Sequence, residues 1–319
     1  MSFEEDTKEE LKKFYINGKY KTVKFLGEGS YGKAYLLESN EGEFAVIKKI
    51  PKSLIDPNPR YKELLVSEIN ISMKIDNHPN LVNYYQCFKS TNSYCILMEY
   101  CNGGTLLEYR AAHGKPYIEE KVAIQIIKDI CNGYYQLYKQ NVVHRDIKLD
   151  NIFISKNKDN TGFACKLGDY GFAKLYPVES KMTECLSYSS LGTPIYESPQ
   201  KLNGNLYNYQ DDIFAIGVAF YWLVTGEKPF VKSKTKMDLL ELQKKGKLIF
   251  KANIYNLTQY TIDFILKCLQ YEQTNRLKAA DMMAHKIITE PYSYLAEKMI
   301  KTKVKLNITK DKCFPAMPI

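Results

Sequence analysis

Asp146, Lys148, Asn151 and Asp169 are the residues best suited to do chemistry. Three of them lie in His144-Arg145-Asp146-Ile147-Lys148-Leu149-Asp150-Asn151, and the fourth opens Asp169-Tyr170-Gly171. An apolar, helix-like stretch, Val122 to Tyr138, precedes this segment. Ile152-Phe153-Ile154 and Ala164 to Leu167 follow it as short runs of strand-forming residues on either side of a polar insertion, residues 155–162. The layout predicts Asp146 on a loop and Asp169 at the end of a hairpin, with Asn151 between them. These types suit phosphoryl transfer. One carboxylate can accept the proton of an attacking hydroxyl, and an amide oxygen with a second carboxylate can hold divalent ions against phosphate charge.

The eight-residue segment resembles the catalytic loop of protein kinases, H-R-D-L-x-x-x-N, and Asp169-Tyr170-Gly171 resembles their D-F-G. A bare H-R-D recurs by chance, whereas the longer form with Lys148 and Asn151 in register is specific. The resemblance implies an α+β, bilobal protein kinase fold, with a small β-rich N-lobe carrying one key helix and a larger, mainly helical C-lobe. It implies Asp146 as the base, Lys148 as the residue steadying the transferring phosphate, and Asn151 and Asp169 as the metal ligands. Tyr170 stands where Phe is usual and brings a hydroxyl that needs a partner.

Lys21 to Leu26 alternates like a strand and leads into Gly27-Glu28-Gly29-Ser30-Tyr31-Gly32. Glycines at this spacing let backbone amides approach phosphates closely. A dinucleotide-binding turn would open a helix here. Instead Tyr35-Leu36-Leu37 and Phe44 to Ile50 read as strands joined by a turn at Asn40 to Gly42. Strand, glycine turn, strand resembles the kinase phosphate flap, which implies nucleotide contacts from Leu26, Gly27, Gly29, Gly32 and Ala34. The family usually has Val at Ala34, so a looser adenine ceiling is expected. Ala45-Val46-Ile47-Lys48 resembles V-A-I-K, placing Ala45 at the nucleotide and Lys48 on the α- and β-phosphates. Glu68, on a helix over Tyr61 to Ile75, would pair with Lys48. Ser72 stands where a bulkier apolar residue is usual, which implies a weaker spine through that helix. Tyr94 to Met98 reads as a buried strand ending in Glu99-Tyr100-Cys101-Asn102-Gly103-Gly104. By resemblance this is the hinge, with Met98 as gatekeeper, Glu99 and Cys101 at the adenine edge, and Phe153 beneath it.

Helical spacing is expected at 105–112 and 117–139. Phe172 to Pro199 has little periodicity and many hydroxyls, and such a long loop is usually functional. By resemblance it is the activation segment. Arg145 would meet a phosphate on Ser189, and Gly192-Thr193-Pro194 would close the segment, making Thr193 a further regulatory position. Gln200 replaces the usual Glu partner of Arg276, so a weaker anchor is expected there. Asp211-Asp212-Ile213-Phe214-Ala215-Ile216-Gly217 resembles D-I-W-S-L-G, with Asp212 as the matching acid. The organisation expected is an arm at 1–19, a kinase domain at 20–285 (N-lobe 20–100, C-lobe 101–285), and a segment at 286–319. That last segment would hold a helix near Tyr292 to Ile300 and then a basic stretch from Lys301 to Lys312.

The 319 residues carry 45 Lys and Arg against 36 Asp and Glu, a net charge of +9. The charges are interspersed, which favours a solvated surface over a nucleic-acid face. Membrane contact through the basic tail is not expected. No apolar run approaches the ~20 residues of a membrane span, and the acidic N-terminus lacks the apolar core of a secretory signal. Eight Cys without C-x-x-C spacing read as reduced thiols of a cytoplasmic chain, with the nucleus left open. The resulting expectation is a serine/threonine kinase using ATP and Mg²⁺ on Ser and Thr of protein substrates, with an activating kinase or regulatory subunit as a further partner. Its features resemble the unc-51-like, autophagy-initiating group, with a calcium/calmodulin-kinase-like assignment as rival. The alternative is a pseudokinase scaffold that binds nucleotide without transferring phosphate. Ala34, Ser72, Tyr170 and Gln200 favour it, but none of them removes a catalytic group.

Overall fold

The computed structural model describes residues 20–29, 32–159, 161–176, 194–204, 207–230, 233, 235–250, 256–300 and 304–307. The chain begins with three antiparallel strands, β1 (Tyr20–Glu28), β2 (Lys33–Ser39) and β3 (Phe44–Pro51). Two helices follow, α1 (Lys52–Ile55) and α2 (Pro59–Lys74), and then β4 (Tyr84–Lys89) and β5 (Ser93–Glu99). The sheet order is β1-β2-β3-β5-β4. Side chains alternate across a strand, so each face of the sheet builds its own core. Ala45 and Ile47 join Leu37, Phe88, Cys95 and Leu97 on one face. Ile50, Tyr94 and Ile96 meet Ile55, Leu65 and Ile69 on the other. The register sets Lys48 between Ala34 and Ile96, in the middle strand of the sheet. α2 starts where the Asn58 side chain accepts the N–H groups of Arg60 and Tyr61, with Pro59 in its first turn.

The second lobe is mostly helical. α3 (Leu106–Ala112) and α4 (Glu120–Lys139) lead to β6 (Val142–Val143), the hairpin β7 (Ile152–Lys156) and β8 (Phe163–Leu167), and β9 (Lys174–Leu175). Then come α5 (Pro199–Leu202), α6 (Tyr209–Thr225), α7 (Lys236–Lys245), β10 (Lys247–Phe250) and α8 (Gln259–Cys268). The chain closes with α9 (Ala279–Met283), α10 (Lys286–Thr289), α11 (Tyr292–Ala296) and β11 (Val304–Asn307). α6 is apolar on every side and lies in the centre, with Trp222 as its one residue that is not buried. An Asn208–Asp211 capping box starts α6, and Gly226 ends it at φ +74°. Among the described residues no helix is long and apolar enough to cross a membrane.

Two boundaries differ from the sequence reading. α4 starts at Glu120 instead of 117, because the Ile118 N–H donates to Leu223 O at 2.7 Å and holds the entry extended along the end of α6. The last helix stops at Ala296 instead of near Ile300, because the Ile300 N–H donates to Leu257 O at 2.9 Å and Met299 bridges Thr258. β11 then pairs antiparallel with β10, from Lys247↔Asn307 to Phe250↔Val304. Part of the expected basic stretch is therefore a strand of the C-lobe. Ile287, Leu295 and Ile300 belong to the same apolar core as α4 and α6, so packing continues past residue 285. The 1–19 arm lies outside the described residues.

Candidate active site

β6 pairs with β9, which brings the chain on either side of His144 and Asp169 together at one end of the large lobe. The loop after β6 bends sharply, and Arg145 sits at φ +67°. Such a conformation persists only when its surroundings hold it. The holder is Asp212 of α6, whose carboxylate accepts the N–H groups of His144 and Arg145, both at 2.8 Å, and the Tyr207 hydroxyl at 2.6 Å. His144 Nδ1 accepts the Asp146 N–H at 3.4 Å, and its Nε2 meets Gly168 O at 3.1 Å. The imidazole thus ties the loop bearing Asp146 to the loop bearing Asp169. Arg145 Nε donates to Phe172 O.

Asp146 is buried, and its carboxylate is held from two sides. Lys148 Nζ donates to Oδ2 at 2.8 Å. Asn151 Nδ2 donates to the same oxygen at 2.8 Å and to the Asp146 carbonyl at 2.9 Å. Asn151 reaches this position because Leu149–Asn151 forms a single 3-10 turn before β7. With its nitrogen committed, Asn151 leaves its amide oxygen for a cation.

Asp169 also has a left-handed backbone, φ +61°. Its N–H donates to the Tyr84 hydroxyl at 3.1 Å, and Oδ1 accepts from Lys48 Nζ at 3.1 Å. Lys48 also binds Glu68 Oε1 at 2.7 Å, so one ammonium spans the sheet, α2 and the Asp169 loop. Burial alone would lower the Lys48 ammonium, but the carboxylates of Asp169 and Glu68 outweigh it and hold it above its ordinary value. Burial pushes Glu68 up against the pull of Lys48. At Asp169 burial works in the same direction, yet Lys48 prevails and the carboxyl lies below its ordinary value. The Tyr170 hydroxyl finds Leu167 O at 3.4 Å, and its ring packs 5.2 Å from Tyr84 and 5.7 Å from His144. Ser72 is buried nearby with its hydroxyl oxygen unpartnered among the described residues.

The cleft above these groups has the expected parts. Gly27 pairs with Ala34 across the β1–β2 turn, and the Gly29 N–H donates to Gly32 O at 2.9 Å. The three glycines have different reasons. A Cβ on Gly32 would lie 2.5 Å from Lys49 O, so close packing on β3 requires glycine there. Around Gly27 and Gly29 a Cβ would meet nothing closer than 3.9 Å. That open face is the space a polyphosphate would take. Leu26 is exposed, and Ala34 and Met98 are half-buried. Ala45 does not reach the cleft as expected: it is buried in the core on the sheet face opposite Lys48, and alternation along β3 puts Val46, paired with Met98, on the Lys48 face instead. At the hinge Glu99 turns its carboxylate away, accepting from Asn83 N and Lys166 Nζ at 3.1 and 3.0 Å, so only its backbone can serve a ligand. Cys101 is buried likewise. Phe153 lies half-buried on β7 against Gly168.

The donor set fits a hard divalent ion. Asn151 offers an amide oxygen and Asp169 a second carboxylate oxygen. Among the described residues no three His, Cys, Asp or Glu side chains gather around one point. An ion here would complete its shell with phosphate oxygens and water, as Mg²⁺ does. Ser189 and Thr193 lie outside the described residues.

Two features escaped the sequence reading. One is the Tyr84 hydroxyl on Asp169. The other is Asp211, which stands 3.6 Å from the buried guanidinium of Arg276. Gln200 does reach Arg276 Nη2, at 2.8 Å, but Asp211 supplies the carboxylate, and its Oδ1 also takes the Ser198 hydroxyl.

The comparisons with known proteins agree with this geometry. Residues 20–288 match the protein kinase domain family. The chain is similar to a probable cell cycle serine/threonine-protein kinase CDC5 homolog of Encephalitozoon cuniculi, 32% identical over 281 residues, covering 87% of this chain and 56% of that protein. It is 31% identical over 296 residues to calcium-dependent protein kinase 4 of Plasmodium falciparum, covering 92% of this chain and 52% of that one. It is 28% identical over 280 residues to the serine/threonine-protein kinase ATG1c of Arabidopsis thaliana, covering 88% and 37%. The chain spans about half or less of the length of these relatives. The family match over most of the chain places this protein in the protein kinase domain family.

Proposed function

We propose that the chain transfers the γ-phosphoryl group of ATP to Ser and Thr hydroxyls of protein substrates. The observation that carries this reading is one lysine, Lys48, bound at once to Glu68 and to Asp169, in the same cleft as a buried Asp146 held by Lys148 and Asn151. Lys48 and the flap amides hold the phosphates. Asn151 and Asp169 are the residues that hold Mg²⁺, which supplies neutralisation of phosphate charge. Asp146 orients the acceptor hydroxyl and takes its proton as the new O–P bond forms and the γ-phosphate leaves ADP. Positioning and charge do most of the work in such sites.

The full chain, incubated with γ-labelled ATP, Mg²⁺ and a generic protein, should yield labelled phosphoserine and phosphothreonine after acid hydrolysis. Phosphotyrosine alone would contradict the acceptor class. Nucleotide binding without any label would leave the scaffold reading. Regulation by activation-segment phosphorylation is part of the proposal, motivated by Arg145 and by the run of hydroxyls in the sequence between Phe172 and Pro199. A Ser189→Ala protein purified from cells should be less active than wild type, and equal activity would end that idea. A cytoplasmic setting accords with the free thiols of Cys87, Cys95, Cys101, Cys131, Cys165 and Cys268, and fractionation would check it.

A further inference from the structure

Trp222 is the single tryptophan of the chain and the one residue of α6 that is not buried. Two cations share its ring. The Arg110 guanidinium carbon lies 4.8 Å from the ring centroid, and Lys228 Nζ lies 4.7 Å from it. Both are within cation–π range, and an indole is the strongest aromatic partner for a cation. Arg110 is fixed in place, because its Nη2 donates to Gly226 O at 2.6 Å and to Pro116 O at 2.9 Å. Its Nε is buried and has no hydrogen-bond partner among the described residues. Lys228 is exposed. Neither cation forms an ion pair with a carboxylate among the described residues. The exposed acid Glu227, next to Lys228 in the chain, does not pair with either cation. An anion beside the ring would meet two cations that have no carboxylate partner among the described residues.

The patch connects to the reacting centre through Tyr196. The Tyr196 ring lies 6.4 Å from that of Trp222, and its hydroxyl accepts the Leu149 N–H at 3.3 Å. Leu149 directly follows Lys148, whose ammonium holds Asp146. Burial chiefly pushes the Tyr196 hydroxyl up; Asp150 and Asp146 add to this, and Arg110 opposes it.

We infer that Arg110, Lys228 and Trp222 form a specificity site for an anionic side chain flanking the acceptor in the peptide substrate, glutamate, aspartate or a phosphorylated residue. This rests on the phosphotransferase reading for its meaning in catalysis, but its binding can be measured without catalysis. Trp222 is a built-in reporter. Trp222 fluorescence of the full chain would be titrated with four matched peptides carrying Glu, phosphoserine, Ala or Arg at the flanking positions. The same four would be assayed as phosphate acceptors.

The Glu or phosphoserine peptide should bind roughly tenfold more tightly than the Arg peptide, with affinity falling as salt rises. Whichever of the two acidic peptides binds more tightly identifies the source of the anion. Lys228→Glu, at an exposed position, should reverse the order of the Glu and Arg peptides. Equal binding of all four peptides, or an order that Lys228→Glu leaves unchanged, would overturn the inference. Acid-selective binding with no peptide phosphorylated would uphold the anion site and count against the phosphotransferase reading, so the two failures are distinguishable.

Discussion

The backbone N–H of Asp169 donates to the hydroxyl of Tyr84 at 3.1 Å, joining the Asp169 loop of the large lobe to a strand of the small one. The bond matters because Asp169 occupies a left-handed conformation, φ +61°, which a side-chain-bearing residue adopts only when held. The Tyr84 ring packs against Tyr170 as well, so the ring and the hydroxyl make separable contributions.

Tyr84→Phe should keep the ring contact and lose the tether. A neutral hydrogen bond contributes about 1 kcal/mol, or roughly fivefold in an equilibrium. The Mg²⁺ concentration giving half-maximal activity should rise by about that factor, with little change in melting temperature. A Mg²⁺ titration of wild type and variant checks this.

Asp211 and Gln200 should behave as a coupled pair around Arg276. Arg276 is buried, with hydrogen bonds to the carbonyls of Gln210 and Gln270 and to the Gln200 amide, and Asp211 is its carboxylate partner. Asp211→Asn leaves a buried cation uncompensated and should destabilise the chain by about 3 kcal/mol. Adding Gln200→Glu in that background should restore part of the loss. Urea unfolding of the single and double variants measures the coupling, and strict additivity would refute it.

Acid sensitivity should have an identifiable contributor at Asp263. Burial pushes this carboxyl up, but hydrogen bonds from His285 Nε2 and Lys267 Nζ at 2.9 and 2.8 Å prevail and hold it below its ordinary value. A depressed folded pKa stabilises at neutral pH, and that contribution is lost as pH falls through it, below about 4. Asp263→Asn should therefore unfold about 1 kcal/mol more easily at pH 7. Its deficit against wild type should shrink as the pH drops below about 4.

How much of this was legible in the sequence depended on separation along the chain. Asp146, Lys148 and Asn151 lie within six residues, so residue types and spacing sufficed. Lys48 and Glu68 are twenty residues apart and could be paired only because strand and helix signals framed them. Tyr84 and Asp169 are separated by 85 residues, and Tyr84 reads as an ordinary aromatic residue on a strand. In the sequence Asp211 is only the neighbour of the matching acid Asp212; in the structure it completes the capping box of α6. Its second role needed Arg276 in space. β11 was hidden by the lysines of the tail, although Val304-Lys305-Leu306-Asn307 does alternate as a strand should, opposite Leu248 and Phe250.

The central claim is that Asp146 takes the acceptor's proton in a cleft where nucleotide is held by other residues. Single-turnover transfer from labelled ATP, measured for wild type and Asp146→Asn alongside their ATP affinities, tests it most directly. Asn151 and Lys148 can still hydrogen-bond the substituted amide, so the site should keep its shape. The transfer rate should fall about a thousandfold, with ATP affinity within about twofold of wild type. Equal transfer rates in the two proteins would contradict it.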